Sequence, residues 1–451
     1  MFISSHHVCK QTSDSLSRFG KITALFSFFL FLAVLPISVQ AEESADSSAS
    51  SFSGSLRLGG EVEHFEKSNS LLNPSNILMR PDTRAEAFLI GNALYKGIGG
   101  VFEAELRFSY EYFSGTSKTY FEDQSFDTQV NQLYYQTKSG PVSLLLGRKK
   151  VRWGVGYSYS PTDLISQLKN PEDPDDRLNR IKGTDLVQLS YNNENSQLDL
   201  VYLPKVNWSF DETFISYNKY AMRWYNFIDP VDLSFVGSVD EEGEWAAGIN
   251  TSVSIGKALE LHAEYLYQSS NNKRYPDLYS NASDLAIPFF FTKNGGVHDV
   301  VVGGQYTFEN NLNLTLEYLY RSSGYSNNTF NAYVNHLDYL NADYQTSLNP
   351  LPALAGLQES AINFDLPLHN HYLFGRLYHP DVIHGVSVEM YSLVSIADGS
   401  GLFVFMPKYE KNDAYEVYLR VKKFWGKNDT EFGLVPEDLS GIIGVSLFLG
   451  N

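Results

Sequence analysis

Cysteine is nearly missing from the chain: Cys9 is the single one among 451 residues. Disulfide scaffolding and cysteine-ligated metal sites are thereby excluded. Positive charge is also scarce, with 34 Lys and Arg against 52 Asp and Glu and a formal net charge of -18. Nucleic-acid binding needs clustered excess positive charge, so no nucleic acid is expected as a partner. Long apolar runs are limited to "ITALFSFFLFLAVLPI", about sixteen residues that follow Lys10, Arg18 and Lys21 and precede "SVQA". That run is shorter than the roughly 20 residues of a spanning helix. A positive leader, a short apolar stretch and small residues at Val39 and Ala41 predict a signal peptide over residues 1–41, cleaved before Glu42. Cleavage removes Cys9, leaving no thiol, and removes three cations and one anion (Asp14), so the charge moves from -18 to -20.

What the chain does have is aromatic residues, 30 Tyr and 30 Phe, arranged in alternating segments. In "VFEAELRFSYEY", Phe102, Ala104, Leu106, Phe108, Tyr110 and Tyr112 share one face, and Glu103, Glu105, Arg107, Ser109 and Glu111 the other. "LELHAEYLYQ", "NLNLTLEYLYR" and "AYEVYLRVK" repeat the pattern. Period-two alternation is the signature of strands. Runs of about ten residues match a tilted strand crossing a bilayer. Pairs such as Tyr110 and Tyr112, Tyr265 and Tyr267, and Tyr318 and Tyr320 fall at one end of the apolar face. Rings with one apolar and one polar edge collect at the membrane interface.

The connections alternate as a membrane barrel requires, short on one side and long on the other. Short turns are read at "YKGIGG", "SGP", "NNENS", "IDPVD", "GKA", "ENN", "HPDVIHG" and "KND". The long connections include residues 154–183, 269–296 and 322–369, with two short outer ones at "DEEGE" and "ADGSG". The expected fold is all-β: one transmembrane antiparallel up-and-down barrel over residues 53–451 with about 18 strands, 16 being the alternative. Residues 42–52 are expected to be a short periplasmic segment. Location in the outer membrane follows, with outer-membrane lipids, lipopolysaccharide and the barrel assembly machinery as partners.

One stretch concentrates positive charge. In "LLLGRKKVRWGVGYSYSPTDL", alternation sets Arg148, Lys150 and Arg152 on one face, read as facing the lumen. Leu145, Gly147, Val151 and Trp153 share the other face with Lys149, a misfit on a lipid-facing surface, and Trp153 is expected at the outer interface. The 154–183 connection carries Asp163, Glu172, Asp173, Asp175 and Asp176. A connection of that length is functional or disordered. Two readings stand: a solvated outer loop beside an ordinary charge ladder, or an inward loop whose carboxylates face the basic stripe across a constriction. The candidate pore-lining residues are Arg148, Lys150, Arg152, Asp163, Glu103, Glu105 and Arg107.

The segment just quoted, with "ADGSG" and "TEFG", resembles large porin-like outer-membrane barrels in the style of the alginate-export proteins. Gly147, Arg148, Trp153, Gly154, Gly156, Pro161, Asp163, Asp398, Gly399, Gly401, Glu431, Phe432 and Gly433 carry the likeness. It implies a passive or weakly selective channel. The expected function is a porin for small polar or charged solutes. The alternative is a surface protein that binds or exports polysaccharide through its long loops, the Asn-, Tyr- and Ser-rich 322–369 segment above all. No catalytic constellation, phosphate loop or nucleophile elbow is present, so neither enzyme activity nor a cofactor is expected. His369 and His371 share a strand face on this reading, and such spacing alone does not make a metal site. "PEDPDD" and "ADGSG" lack the ligand spacing of a calcium loop.

Overall fold

The computed structural model describes residues 50–450 except 98, 116–122, 167, 206–216, 278–288, 293–294 and 412. The expected signal peptide therefore lies outside the described residues. The first strands are β1 (Ser51–Glu66), β2 (Thr83–Gly97), β3 (Gly100–Ser114), β4 (Gln124–Ser139) and β5 (Val142–Lys149). After the long connection come β6 (Thr184–Asn192), β7 (Ser196–Leu203), β8 (Lys219–Ile228), β9 (Val231–Asp240), β10 (Trp245–Ile255) and β11 (Leu259–Gln268). A small outer ribbon, β12 (Arg274–Asp277) with β13 (Phe289–Thr292), interrupts the series before β14 (Val297–Thr307) and β15 (Asn313–Arg321). The last five are β16 (His371–Ile383), β17 (Val386–Ser395), β18 (Gly401–Lys411), β19 (Tyr415–Trp425) and β20 (Leu439–Leu449).

Without the ribbon, these form one 18-stranded antiparallel sheet in which each strand pairs with its neighbour in sequence, and β1 closes it against β20. Closure leaves no unpaired edge, which lets a sheet sit in hydrocarbon. All eight short turns fall at one end of the barrel, as the alternation of connection lengths predicts. The outward face is apolar: Leu58, Val62, Leu133, Tyr135, Leu144, Leu146, Val187 and Leu189 are exposed on it. The lumen face bears the charges. Glu61, Glu63, Glu86 and Glu111 all pair with Arg84, and Arg107 pairs with Glu86. Phe102, Tyr110 and Tyr112 are exposed outward, and the Tyr265 and Tyr318 hydroxyls each meet a rim histidine, His298 and His371, at 2.7 Å.

One departure from an all-strand chain is the 322–369 segment, which holds two helices, Asn327–Thr346 and Leu351–Ile362. Phe330, Tyr333, Val334, Leu337 and Leu340 recur at helical spacing and are buried, and the Ser326 side chain accepts a bond from the Thr329 N–H. The buried face packs on Leu72 and Ile77 of the β1–β2 connection, on Tyr275 of the ribbon and on Leu434 between β19 and β20. The hairpin is thereby tied to three other outer connections. At its far end Lys273 Nζ donates to the carbonyls of Asp365 and Pro367. Burial, with Arg321 adding to it, pushes that ammonium below its ordinary range.

Strand β5 is short because the chain leaves the wall there. Gly147 has φ +122°, and a Cβ on it would stand 2.3 Å from the Leu133 carbonyl oxygen. Only glycine accepts that backbone so close to β4. Gly147→Ala is expected to cost on the order of 1–3 kcal/mol. Denaturant unfolding in lipid, followed by tryptophan fluorescence, measures it; an unchanged midpoint would refute this account of the turn.

Candidate functional site

From Lys150 the chain turns into the barrel and stays inside until Gly183. Backbone N–H groups lead, because the wall offers carboxylates to receive them. Asp163 Oδ1 accepts from the N–H groups of Trp153 and Gly154 at 2.6 and 2.8 Å, while its Oδ2 is 3.1 Å from Arg152 Nη1. Glu264 of β11 accepts from Val155 N, Gly156 N and Thr162 N at 2.6, 2.5 and 3.0 Å, and from the Thr162 hydroxyl at 2.6 Å. Glu317 of β15 accepts from Tyr157 N and Ser158 N at 2.5 and 2.8 Å, and lies 2.8 Å from His262 Nε2. Bonds to a charged acceptor contribute about 1.5–3 kcal/mol each. Such close approach needs small residues: a Cβ on Gly156 would meet the Tyr159 carbonyl at 2.1 Å.

The rest of the segment is held by further strands of the wall. The Tyr159 hydroxyl donates to Asp299 of β14 at 3.0 Å. The Glu172 carbonyl accepts from Tyr391 of β17 at 2.5 Å and from Arg420 of β19, and its carboxylate is 3.4 Å from Lys422 Nζ. Arg177 stacks over Tyr418, and its carbonyl accepts from Arg57 of β1 at 2.8 Å. Arg180 pairs with Glu61 of β1 and Glu86 of β2, and Arg107 of β3 donates to the Leu178 carbonyl at 3.1 Å. The circuit ends at β4, where Asn131 holds Asn179 and Gly183 before β6 begins. Residues 150–183 are therefore a belt pinned around the inner circumference, the inward reading of this connection.

The belt also decides where the sequence-predicted residues stand. Glu103, Glu105 and Arg107 face the lumen; Glu103 accepts from the Tyr134 hydroxyl at 2.5 Å, and Glu105 lies 3.0 Å from Lys150 Nζ. Asp163 is buried within the belt. The alternation reading of the basic stripe is corrected in three places. Arg148 pairs in register with Leu133 and Asp185 on the outward-facing set, and its guanidinium is 2.7 Å from Asp185 Oδ2. Lys149 faces inward over the Tyr134 ring, 4.3 Å from its centroid, and so is not on the lipid face. Trp153 lies in the lumen, packed with Leu145, Leu186, Val201 and Leu203, away from the interface. The cause is the side assigned to the set: Leu145, Gly147 and Lys149 do share one face with Trp153, but it is the lumen face, Leu144 and Leu146 being the residues exposed outward. Lys150 and Arg152 face inward as expected, but as members of the belt.

Carboxylates of the belt do not face the basic groups across an open gap. They are tied to them: Asp163 to Arg152 and, at 3.9 Å, Asp176 to Lys150, which also pairs with Glu105 of the wall strand β3. A cavity of about 490 Å³ lies on the inner, short-turn side of the belt, against β4 to β8. Lys138, Lys149, Lys150, Arg152 and Arg223 line it together with Trp153, and no carboxylate does among the described residues. Asp199, the partner of Arg223 at 2.8 Å, is fully buried behind it. Sequence reasoning missed Lys149, Lys138 and Arg223 in this role; they come from three strands and meet only through the register of β4 to β8.

An 18-strand closed barrel with an apolar outer surface, a charged lumen and an inward belt defines a porin-type outer-membrane barrel. Solved structures of that kind match it over nearly their whole length. Pseudomonas aeruginosa OccK5 (OpdH) is 11% identical, with a TM-score of 0.51, covering 89% of this chain and 98% of that one. Pseudomonas aeruginosa OpdQ is 10% identical, with a TM-score of 0.51, covering 88% and 99%. Pseudomonas aeruginosa OccK7 (OpdD) is 10% identical, also at 0.51, covering 90% and 100%. No protein-family model and no curated protein sequence matches the chain. The alginate-export likeness finds no support among these neighbours, which are OccK and OprD porins.

Proposed function

We propose that the protein is an outer-membrane diffusion channel for small solutes, with the belt as its constriction and an anionic group as the feature it favours. The inward belt, held by strands from β11 around to β4, carries this reading, because a segment lying inside a barrel narrows its lumen. The basic cavity supplies the preference. Five cations line it, and the carboxylates paired with Lys150, Arg152 and Arg223 are not among its lining residues, so a solute arriving from the belt meets positive ends first. Rings of Lys and Arg select anions in pores by this means. A small carboxylate or phosphate ester fits a cavity of about 490 Å³.

Reconstitution of the full barrel into planar bilayers tests the proposal. Discrete conductance steps are expected, with block by millimolar concentrations of small organic anions added from either side. A barrel that inserts, shifts on unheated gels and carries no current would overturn the channel reading. The polysaccharide-receptor alternative leaned on the Asn-, Tyr- and Ser-rich 322–369 segment, which folds into a helical hairpin with Phe330 and Tyr333 buried and Tyr339 exposed.

A further inference from the structure

Three consecutive outer connections bring one histidine and two carboxylates together. His369 stands just before β16, Asp398 in the β17–β18 turn and Glu431 between β19 and β20. His369 and Glu431 are buried, while Asp398 is partly open to the exterior. His369 Nε2 lies 3.4 Å from Asp398 Oδ2 and 4.0 Å from Glu431 Oε2, and the three ligand atoms are within 4.8 Å of one another. Yet neither ring nitrogen of His369 has a hydrogen-bond partner of acceptable geometry. A buried imidazole with both nitrogens unsatisfied is costly and calls for an explanation.

The oxygen ligands are oriented by their surroundings. Glu431 accepts from Leu368 N and from the Tyr372 hydroxyl, both at 2.7 Å to Oε1. Asp398 accepts from Glu431 N at 2.7 Å on one oxygen and from Ser400 N and Oγ at 3.0 and 2.7 Å on the other. The His369 ring is fixed against Phe330, with centroids 4.3 Å apart. Among the described residues no Lys or Arg pairs with either group, so two carboxyl groups stand beside one imidazole.

We propose that His369 Nε2, Asp398 and Glu431 form a binding site for a divalent transition-metal ion of the zinc class. One imidazole with two carboxylates is a donor set such ions accept, and M²⁺ would neutralise the two carboxylates. Donors around a tetrahedral ion with bonds of about 2.0–2.2 Å stand roughly 3–3.5 Å apart, so only the longer separations here must close. The open flank of Asp398 gives an ion a path from the exterior, and the fourth position would take water. Bound metal would staple the end of the helical hairpin, at His369, to two neighbouring outer turns. The site is independent of the channel reading, since none of its residues lines the belt or the basic cavity.

Zinc itself, on the full-length refolded barrel stripped with chelator, is the probe. Equilibrium dialysis is expected to give one Zn²⁺ per chain, with Co²⁺ in its place producing the visible absorption of a four-coordinate site. His371→Ala, which alters only an exposed rim histidine, should bind as the parent does. His369→Ala and Asp398→Asn should each weaken binding at least 100-fold while keeping the heat-dependent gel shift. Asp398→Asn preserves shape and so decides the matter even where His369→Ala fails to fold. Zinc uptake by the parent no greater than by Asp398→Asn, or no thermal stabilisation of the parent by zinc, overturns the proposal.

Discussion

Exchanging Glu264 and Glu317 together for alanine raises single-channel conductance several-fold and makes it noisy. Glu264 holds three backbone N–H groups of the belt, and Glu317 holds two more. Removing either carboxylate leaves those donors buried without acceptors, at a cost of about 3–5 kcal/mol to the belt. The wall itself keeps its hydrogen-bond ladders, because the strand pairing of β11 and β15 does not use these side chains. The barrel should therefore assemble normally and lose only the attachment of residues 155–162. Glutamine at both positions retains an acceptor oxygen and should give an intermediate conductance. Glu260→Ala, on the same strand at the short-turn end, should change nothing. Unaltered conductance in the double alanine variant, with normal insertion, would mean that the belt does not limit the current.

The barrel was legible because its evidence is local and repeated. Phe102, Ala104, Leu106 and Glu103, Glu105, Arg107 alternate without interruption, and each short turn carries its own Gly, Asn or Pro signal. The inward course of the belt was legible only as one of two readings, since it is fixed by Glu264 and Glu317, about a hundred or more residues away in the chain. Alternation gave the partition of β5 but not its sides: Leu145, Lys149 and Trp153 share a face as the pattern says, yet apolar Leu144, Leu146 and Leu145 lie on both faces, and the Leu145 set turns out to be the lumen one. The helical hairpin left a readable trace, Phe330, Tyr333, Val334, Leu337 and Leu340 at helical spacing, masked by the Asn- and Tyr-rich composition around it. Asp163, Asp398 and Glu431 stood in short quoted motifs, and the structure gives them a common physical role: each carboxylate receives backbone N–H groups at a point where an inward or outer connection is tied down.

Anion preference in a chain of net charge -18 is the second large expected effect. Net charge acts over distances that salt screens, with a Debye length of about 8–10 Å at physiological ionic strength. Selectivity is decided by the groups closest to the permeating ion. Glu61, Glu63, Glu86 and Glu111 of β1 to β3 are ion-paired with Arg84, and Glu86 also with Arg107 and Arg180, which weakens the field they project into the lumen. At the cavity below the belt, Lys138, Lys149 and Lys150 present ammonium groups directly to the passage. In a tenfold KCl gradient the parent channel should therefore show a reversal potential of the sign given by chloride. Changing these three lysines to glutamine leaves the Arg152–Asp163 and Arg223–Asp199 pairs intact and the belt in place. It also uncovers Glu105, whose ion-pair partner is Lys150, so the local charge inverts instead of merely falling. The reversal potential should then change sign, with the step conductance altered far less than by release of the belt. A parent channel already cation-selective, or a triple variant with the parent's reversal potential, would place the selectivity elsewhere than in this cavity.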